Sequence, residues 1–110
     1  NSLLKPALSY VENHPEEKIY LDKMSYLCNI SSSYFSKIFK RETGYNFSTY
    51  VTRSKLIKVK ELLETTDLSI STIALNLSFD DSGYLIKLFK KEYGETPAVY
   101  RKKYRGLKDS

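Results

Sequence analysis

Apolar residues recur along this chain at spacings of three and four, and short polar breaks separate the segments so marked. Leu4, Ala7, Leu8 and Val11 form the first stripe, and His14-Pro15 ends it. Pro6 falls in the first turn of the implied helix, where a missing N–H costs nothing. Leu21, Met24, Ser25 and Cys28 predict a short second helix over roughly 21–28, after which Asn29 takes a left-handed cap and Ile30 plugs the corner. Ser31 is placed to cap a third helix built on Tyr34 to Glu42, with Gly44 as its stop. Helix, short turn, helix is the spacing of a helix-turn-helix.

Asn46 can cap a longer helix to about residue 64, with Phe47, Tyr50, Val51, Leu56, Val59, Leu62 and Leu63 at apolar positions and Arg53, Lys55, Lys58 and Lys60 on wet sides. Such a rod is roughly 28 Å long, against about 34 Å between successive major grooves on one face of B-DNA. Thr65, Thr66 and Asp67 break it, and Ser69 caps a helix carrying Ile70, Ile73, Ala74 and Leu77. Phe79 stands at the next corner, Asp80 or Asp81 caps the following helix, and Gly94 ends that one. Thr96-Pro97 then starts a last helix, Thr96 as N-cap and the proline at the first position. No stretch alternates with period two for long enough to suggest a sheet. The expectation is an all-α fold of about seven helices. It comprises a first helix-turn-helix subdomain over residues 1–45, a connecting helix over 46–64, a second subdomain over 65–104 and a tail over 105–110.

The two subdomains are copies. Tyr34 to Tyr50 reads against Tyr84 to Tyr100 with seven of seventeen pairs identical: Tyr34/Tyr84, Lys37/Lys87, Phe39/Phe89, Lys40/Lys90, Glu42/Glu92, Gly44/Gly94 and Tyr50/Tyr100. The preceding short helices match at an offset of 49 and these at 50, so the second turn is one residue longer. In the first copy Phe35, Ile38 and Phe39 point inward, and in the second Leu85, Leu88 and Phe89 do. The opposite faces carry Ser32, Ser33, Ser36, Lys37 and Lys40 in one, and Ser82, Gly83, Ile86, Lys87 and Lys90 in the other. Both are narrow, small at the leading end, positive and free of carboxylates, which suits a helix entering a DNA major groove.

Composition sharpens this reading. The 110 residues are 41% apolar and 28% charged, as in a soluble globular protein, with a net charge of +5. Lys and Arg minus Asp and Glu gives −1 over residues 1–24, +2 over 32–43, +2 over 46–64 and +4 over 99–110. An anionic partner is favoured, and the cationic segments include both repeated helices. Neither a membrane span nor a signal peptide is visible, and the lone Cys28 forms no internal disulfide, so a reducing, cytoplasmic setting is expected. One histidine and four scattered glycines leave no metal set, no activated nucleophile and no phosphate loop, which argues against an enzyme, and neither cofactor nor metal is expected. The chain starts at Asn1, as a fragment of something longer would. The Y-R-K-K-Y-R run from Tyr100 reads as a solvated helix and fraying end.

The second half reads I-S-T-I-A-L-N-L-S-F-D-D-S-G-Y-L-I-K-L-F-K-K-E-Y-G-E-T-P-A-V-Y-R from Ile70 to Arg101. Its alanine, Phe79, F-K-K, Gly94 and T-P-x-x-Y-R resemble the DNA-binding domain of AraC/XylS-type bacterial transcription regulators, a likeness that extends over about Leu4 to Tyr104. Asn29 and Ser78 stand at turn positions where that family commonly has glycine, Lys55 replaces an arginine, Val59 an alanine, and Tyr20 is a poor N-cap. The resemblance implies a C-terminal domain whose two reading helices enter successive major grooves of an asymmetric duplex site. It further implies an upstream regulatory domain, with RNA polymerase a candidate partner.

Carried onto this sequence, the expected base-facing residues are Ser33, Ser36, Lys37, Ser82, Gly83, Tyr84 and Lys87, joined by Ile86, an exposed apolar residue better suited to a thymine methyl than to water. Ser32, Lys40, Arg53, Lys55 and Lys90 are the expected phosphate contacts. The rival reading, a helical protein-interaction module without site-specific DNA binding, would require an exposed apolar groove.

Overall fold

The computed structural model describes residues 3–109, and among them it places seven helices. These are α1 (Lys5–Asn13), α2 (Leu21–Leu27), α3 (Ser32–Thr43), α4 (Phe47–Thr65), α5 (Ile70–Asn76), α6 (Ser82–Tyr93) and α7 (Pro97–Asp109). The chain divides into two compact units, Asn1–Ser54 and Lys55–Ser110, and the division falls inside α4. None of the helices is long and apolar enough to cross a membrane.

Each unit has its own core. In the first, Leu4, Ala7 and Val11 of the α1 segment meet Met24 and Cys28, Phe35, Ile38 and Phe39 of α3, and Phe47 and Val51 from the leading half of α4. Phe35, Phe39 and Phe47 touch through ring pairs with centroids 5.3 to 5.4 Å apart, two of them edge-on, the favourable arrangement for the ring quadrupole. In the second, Leu56, Val59 and Leu63 of α4 meet Ile73, Ala74, Leu77, Leu85 and Phe89.

The repeat therefore reaches beyond the helix-turn-helix. Leu4, Ala7 and Val11 correspond at an offset of 52 to Leu56, Val59 and Leu63, all buried, so the trailing half of α4 does for unit two what α1 does for unit one. Phe47 and Tyr50 correspond at an offset of 50 to Pro97 and Tyr100, so α7 repeats the leading half of α4. One 19-residue helix thus serves as the last element of one copy and the first of the next.

Local chemistry fixes the element ends. Asn46 Oδ1 accepts the Thr49 N–H at 2.8 Å and Thr96 Oγ1 the Val99 N–H at 3.3 Å, the two predicted caps. Tyr20 offers α2 no side-chain cap. The tail expected from residue 105 is helical through Asp109; Ser110 lies outside the described residues.

The basic run from Tyr100 is helical and keeps Lys102 and Lys103 exposed, but its two arginines are held and not solvated as expected. The Arg101 guanidinium donates to four backbone carbonyls: Leu68 at 2.7 Å, Leu63 and Thr66 at 3.1 Å, and Leu62 at 3.5 Å. Two of these belong to the last turn of α4, where helical partners run out, and two to the loop that follows. Arg105 adds Thr66 O at 2.5 Å and Asp67 Oδ1 at 2.6 Å, and its hydrogen bond and then its charge hold the Asp67 carboxyl below the usual carboxylate range. The Tyr100 hydroxyl, meanwhile, donates to Glu64. A planar five-donor group is the right shape for this clamp, and lysine is not.

Candidate nucleic-acid interface

The two helix-turn-helix elements repeat the same local devices at their caps, stops and turns. The Ser31 hydroxyl accepts the Tyr34 N–H at 3.2 Å at the start of α3, and Asp81 Oδ1 accepts the Tyr84 N–H at 2.7 Å at the start of α6. Between Asp80 and Asp81, then, Asp81 is the cap. Both helices end on a left-handed glycine, Gly44 at φ 84° and Gly94 at φ 83°, with amides bonded to Lys40 O and Lys90 O. Both turns pass through a left-handed non-glycine residue, Asn29 and Ser78, each at φ 59°. Both close with the same backbone bond, Ile30 N–H to Ser25 O at 3.1 Å and Phe79 N–H to Ala74 O at 2.9 Å. The second turn has the extra residue where the offsets put it.

The faces turned away from the cores are open. Ser33, Ser36, Lys37 and Lys40 on α3 are exposed, as are Gly83, Tyr84, Ile86, Lys87 and Lys90 on α6. Tyr34 and Tyr84 hold the same place in the repeat and expose 46% and 47% of their surface. Ser32 and Ser82 are half-buried. Ser32 is committed at the elbow of unit one, donating to Asp22 Oδ1 at 2.8 Å and lying 3.1 Å from the Ser25 hydroxyl. Ala74 stands where Ser25 does, so this polar joint is particular to the first copy. Gly83 has a local reason of its own, since a Cβ there would lie 3.3 Å from Asp81 Oδ1, the oxygen that caps α6.

Of the expected phosphate contacts, Lys40 and Lys90 are exposed, and Arg53 is half-buried with its guanidinium 4.7 Å from the centre of the Tyr45 ring. Lys55 has to be reassigned. Only 8% of it is exposed, and its ammonium donates to Leu77 O at 3.0 Å, at the end of α5 where the turn begins. The physical reason is its place on α4: Leu56 beside it and Val59 four residues on are buried in the second core, and the side chain reaches Leu77 O in the same unit. Lys55 supports the turn in front of α6 and presents no charge to solvent phosphate.

His14, Glu16 and Glu17 bring ligand-type atoms within 4.8 Å of one another in the α1–α2 connection. Glu17 there also accepts the Tyr10 hydroxyl at 2.6 Å and lies 3.8 Å from Lys23, whose ammonium donates to Tyr10 at 3.0 Å. The bond to Tyr10 holds the Lys23 ammonium above its usual range. The group is a polar lock on the loop, the counterpart in unit one of the Arg101 clamp in unit two.

Two helix-turn-helix elements with uncovered cationic reading faces define a DNA-binding domain. Residues 25–103 match a family model described as a helix-turn-helix domain. The chain is 37% identical over 101 residues to the regulatory protein PocR of Salmonella typhimurium, covering 92% of this chain and 33% of PocR. The C-terminal domain of AraT, a response regulator from Geobacillus stearothermophilus, is 30% identical with a TM-score of 0.86, covering 94% of this chain and 86% of that one. The DNA-binding domain of AdpA, solved with a target DNA, shares the fold at a TM-score of 0.92 and 23% identity, covering 97% and 96% of the two chains. The chain belongs to the AraC/XylS-type family of helix-turn-helix transcription regulators. It spans 12% to 35% of the length of the curated relatives it matches.

Proposed function

We propose that this domain binds a specific duplex site with α3 and α6 each in a major groove, as the DNA-binding part of a longer bacterial transcription regulator. The observation that carries the reading is the matched pair of open faces. Lys37 and Lys87 are exposed at equivalent positions on two helices that are both capped by a side-chain oxygen and stopped by a left-handed glycine, and so are Lys40 and Lys90. A solubilising role alone gives no reason for the same cations to recur at the same places. The base-facing set is Ser33, Ser36 and Lys37 on α3 and Ser82, Gly83, Tyr84, Ile86 and Lys87 on α6. Lys40, Lys90, Arg53 and the exposed side of Ser32 supply backbone contacts that set register.

Because the two faces differ in sequence, the site is asymmetric, with its two parts about 10 base pairs apart. The short span of this chain on its relatives supports a regulatory domain elsewhere in the full-length protein, acting in the cytoplasm and meeting RNA polymerase at the promoter. The domain itself does no chemistry on its target. Gel shifts against a random duplex pool with heparin competitor, followed by selection of the bound fraction, test the reading. An asymmetric consensus is expected. A pool that emerges unenriched would leave a helical protein-interaction module as the better description.

A further inference from the structure

The two reading helices act as each other's control. Their glycine stops, tyrosines and lysines agree, and at the expected base-facing positions two exposed residues differ, Ser33 against Gly83 and Ser36 against Ile86. The glycine is accounted for by the close approach of Asp81. The isoleucine is not accounted for by the fold. It is 36% exposed, and it is absent from the apolar residues packed on the second core, which include its neighbours Leu85, Leu88 and Phe89. A β-branched residue on a helix face has poor helix propensity, and about a third of this one stays open to solvent.

Its surroundings suit a ligand. A helical side chain leans toward the helix N-terminus and covers the residues three and four before it, here Gly83 and Ser82. Gly83 has no side chain, so that flank of the isoleucine is bare, and Lys87 stands beside it with its cation exposed. The apolar group that a major groove offers is the C5 methyl of a pyrimidine, found on thymine and on 5-methylcytosine.

Resting on the DNA-binding reading above, we infer that Ile86 makes the α6 half of the site selective for a C5-methylated pyrimidine, a preference that Ser36 does not give the α3 half. The contact is between methyl groups and adds no hydrogen bond, so it discriminates modestly. Burying one methyl contributes about 0.8 kcal/mol, which is a factor of about four in affinity.

The test uses the duplex recovered by selection, with deoxyuridine replacing each thymine in turn and 5-methyldeoxycytidine replacing each deoxycytidine. These changes remove or add the C5 methyl and leave base pairing intact. The half-site read by α6 is identified as the one whose contacts change in Lys87→Ala. In that half, one deoxyuridine is expected to weaken binding about threefold to tenfold, or one 5-methyldeoxycytidine to strengthen it as much. The first result makes thymine the natural source of the methyl and the second makes it methylated cytosine. Ile86→Ser, with thermal unfolding confirming an intact fold, is expected to abolish either effect. Methyl sensitivity that survives Ile86→Ser, or a selected site indifferent to every methyl change in that half, overturns the inference and leaves site-specific binding standing. Failure to select any site overturns the functional reading itself.

Discussion

Replacing Arg101 by methionine removes the guanidinium and keeps most of the stem, so it isolates the hydrogen bonds from the packing. Four carbonyl contacts disappear, but their weights differ. The Leu62 carbonyl, at 3.5 Å from Arg101, already takes the Thr66 amide at 3.0 Å and the Thr66 hydroxyl at 2.7 Å, so little is lost there. Thr66 O keeps Arg105. Leu68 O at 2.7 Å and Leu63 O at 3.1 Å lose their charged donor altogether. Bonds to a charged group contribute about 1.5 to 3 kcal/mol each, and Arg101 recovers hydration when the clamp opens, so the net loss is about 2 to 4 kcal/mol. On a chain this size that lowers the unfolding midpoint by about 10 °C or more. Denaturant unfolding followed with hydrogen exchange is the assay: the last turn of α4 and the loop to α5 are expected to lose protection first. Arg101→Lys, which retains a charge without the planar fork, recovers less than half of the loss. A destabilisation below about 1 kcal/mol would show that the guanidinium is solvated after all, as a basic tail would have it.

Further outcomes follow from single residues. Lys55→Met is expected to cost about 1 to 3 kcal/mol of stability and to leave the salt dependence of DNA binding unchanged. Lys40→Ala by contrast flattens the logarithmic salt slope by about 0.9; a similar flattening in Lys55→Met would restore it as a phosphate contact. Ser78 holds φ at 59° without being glycine, so Ser78→Gly is expected to raise stability by about 0.5 to 1 kcal/mol. Asn29→Gly should gain less in the same denaturant titration, since asparagine tolerates that region. Tyr20 is 64% exposed and gives α2 no cap, and Tyr20→Ser should add about 0.5 to 1 kcal/mol, a gain that disappears if Tyr20 packs in solution.

The sequence carried the local features well because capping, left-handed stops and apolar periodicity are short-range. Ser31, Asn46, Ser69, Gly44 and Gly94 do what their chemistry suggests, and the one-residue difference between the turns was visible as a change of offset. Lys55 and Arg101 were misread for one reason. Each is a cation whose partners lie far along the chain, at Leu77 for one and at residues 62–68 for the other. Charge was read as exposure. A signal was present in both cases: Lys55 interrupts a buried i, i+4, i+8 series, and Arg101 occupies the repeat position of Val51, a core residue. A cation in a core register needs a buried acceptor, and here backbone carbonyls left by a helix end or a turn supply it.

The proposed interface has two equivalent faces that read different parts of one duplex. Methylation interference on the selected site, run on the parent chain and on Lys37→Ala and Lys87→Ala, tests this most directly. The parent should show two clusters of contacted bases about 10 base pairs apart, with each variant losing contacts in a different cluster. Loss of the same bases in both variants, or equal weakening on every sequence with the interference pattern unchanged, would contradict it.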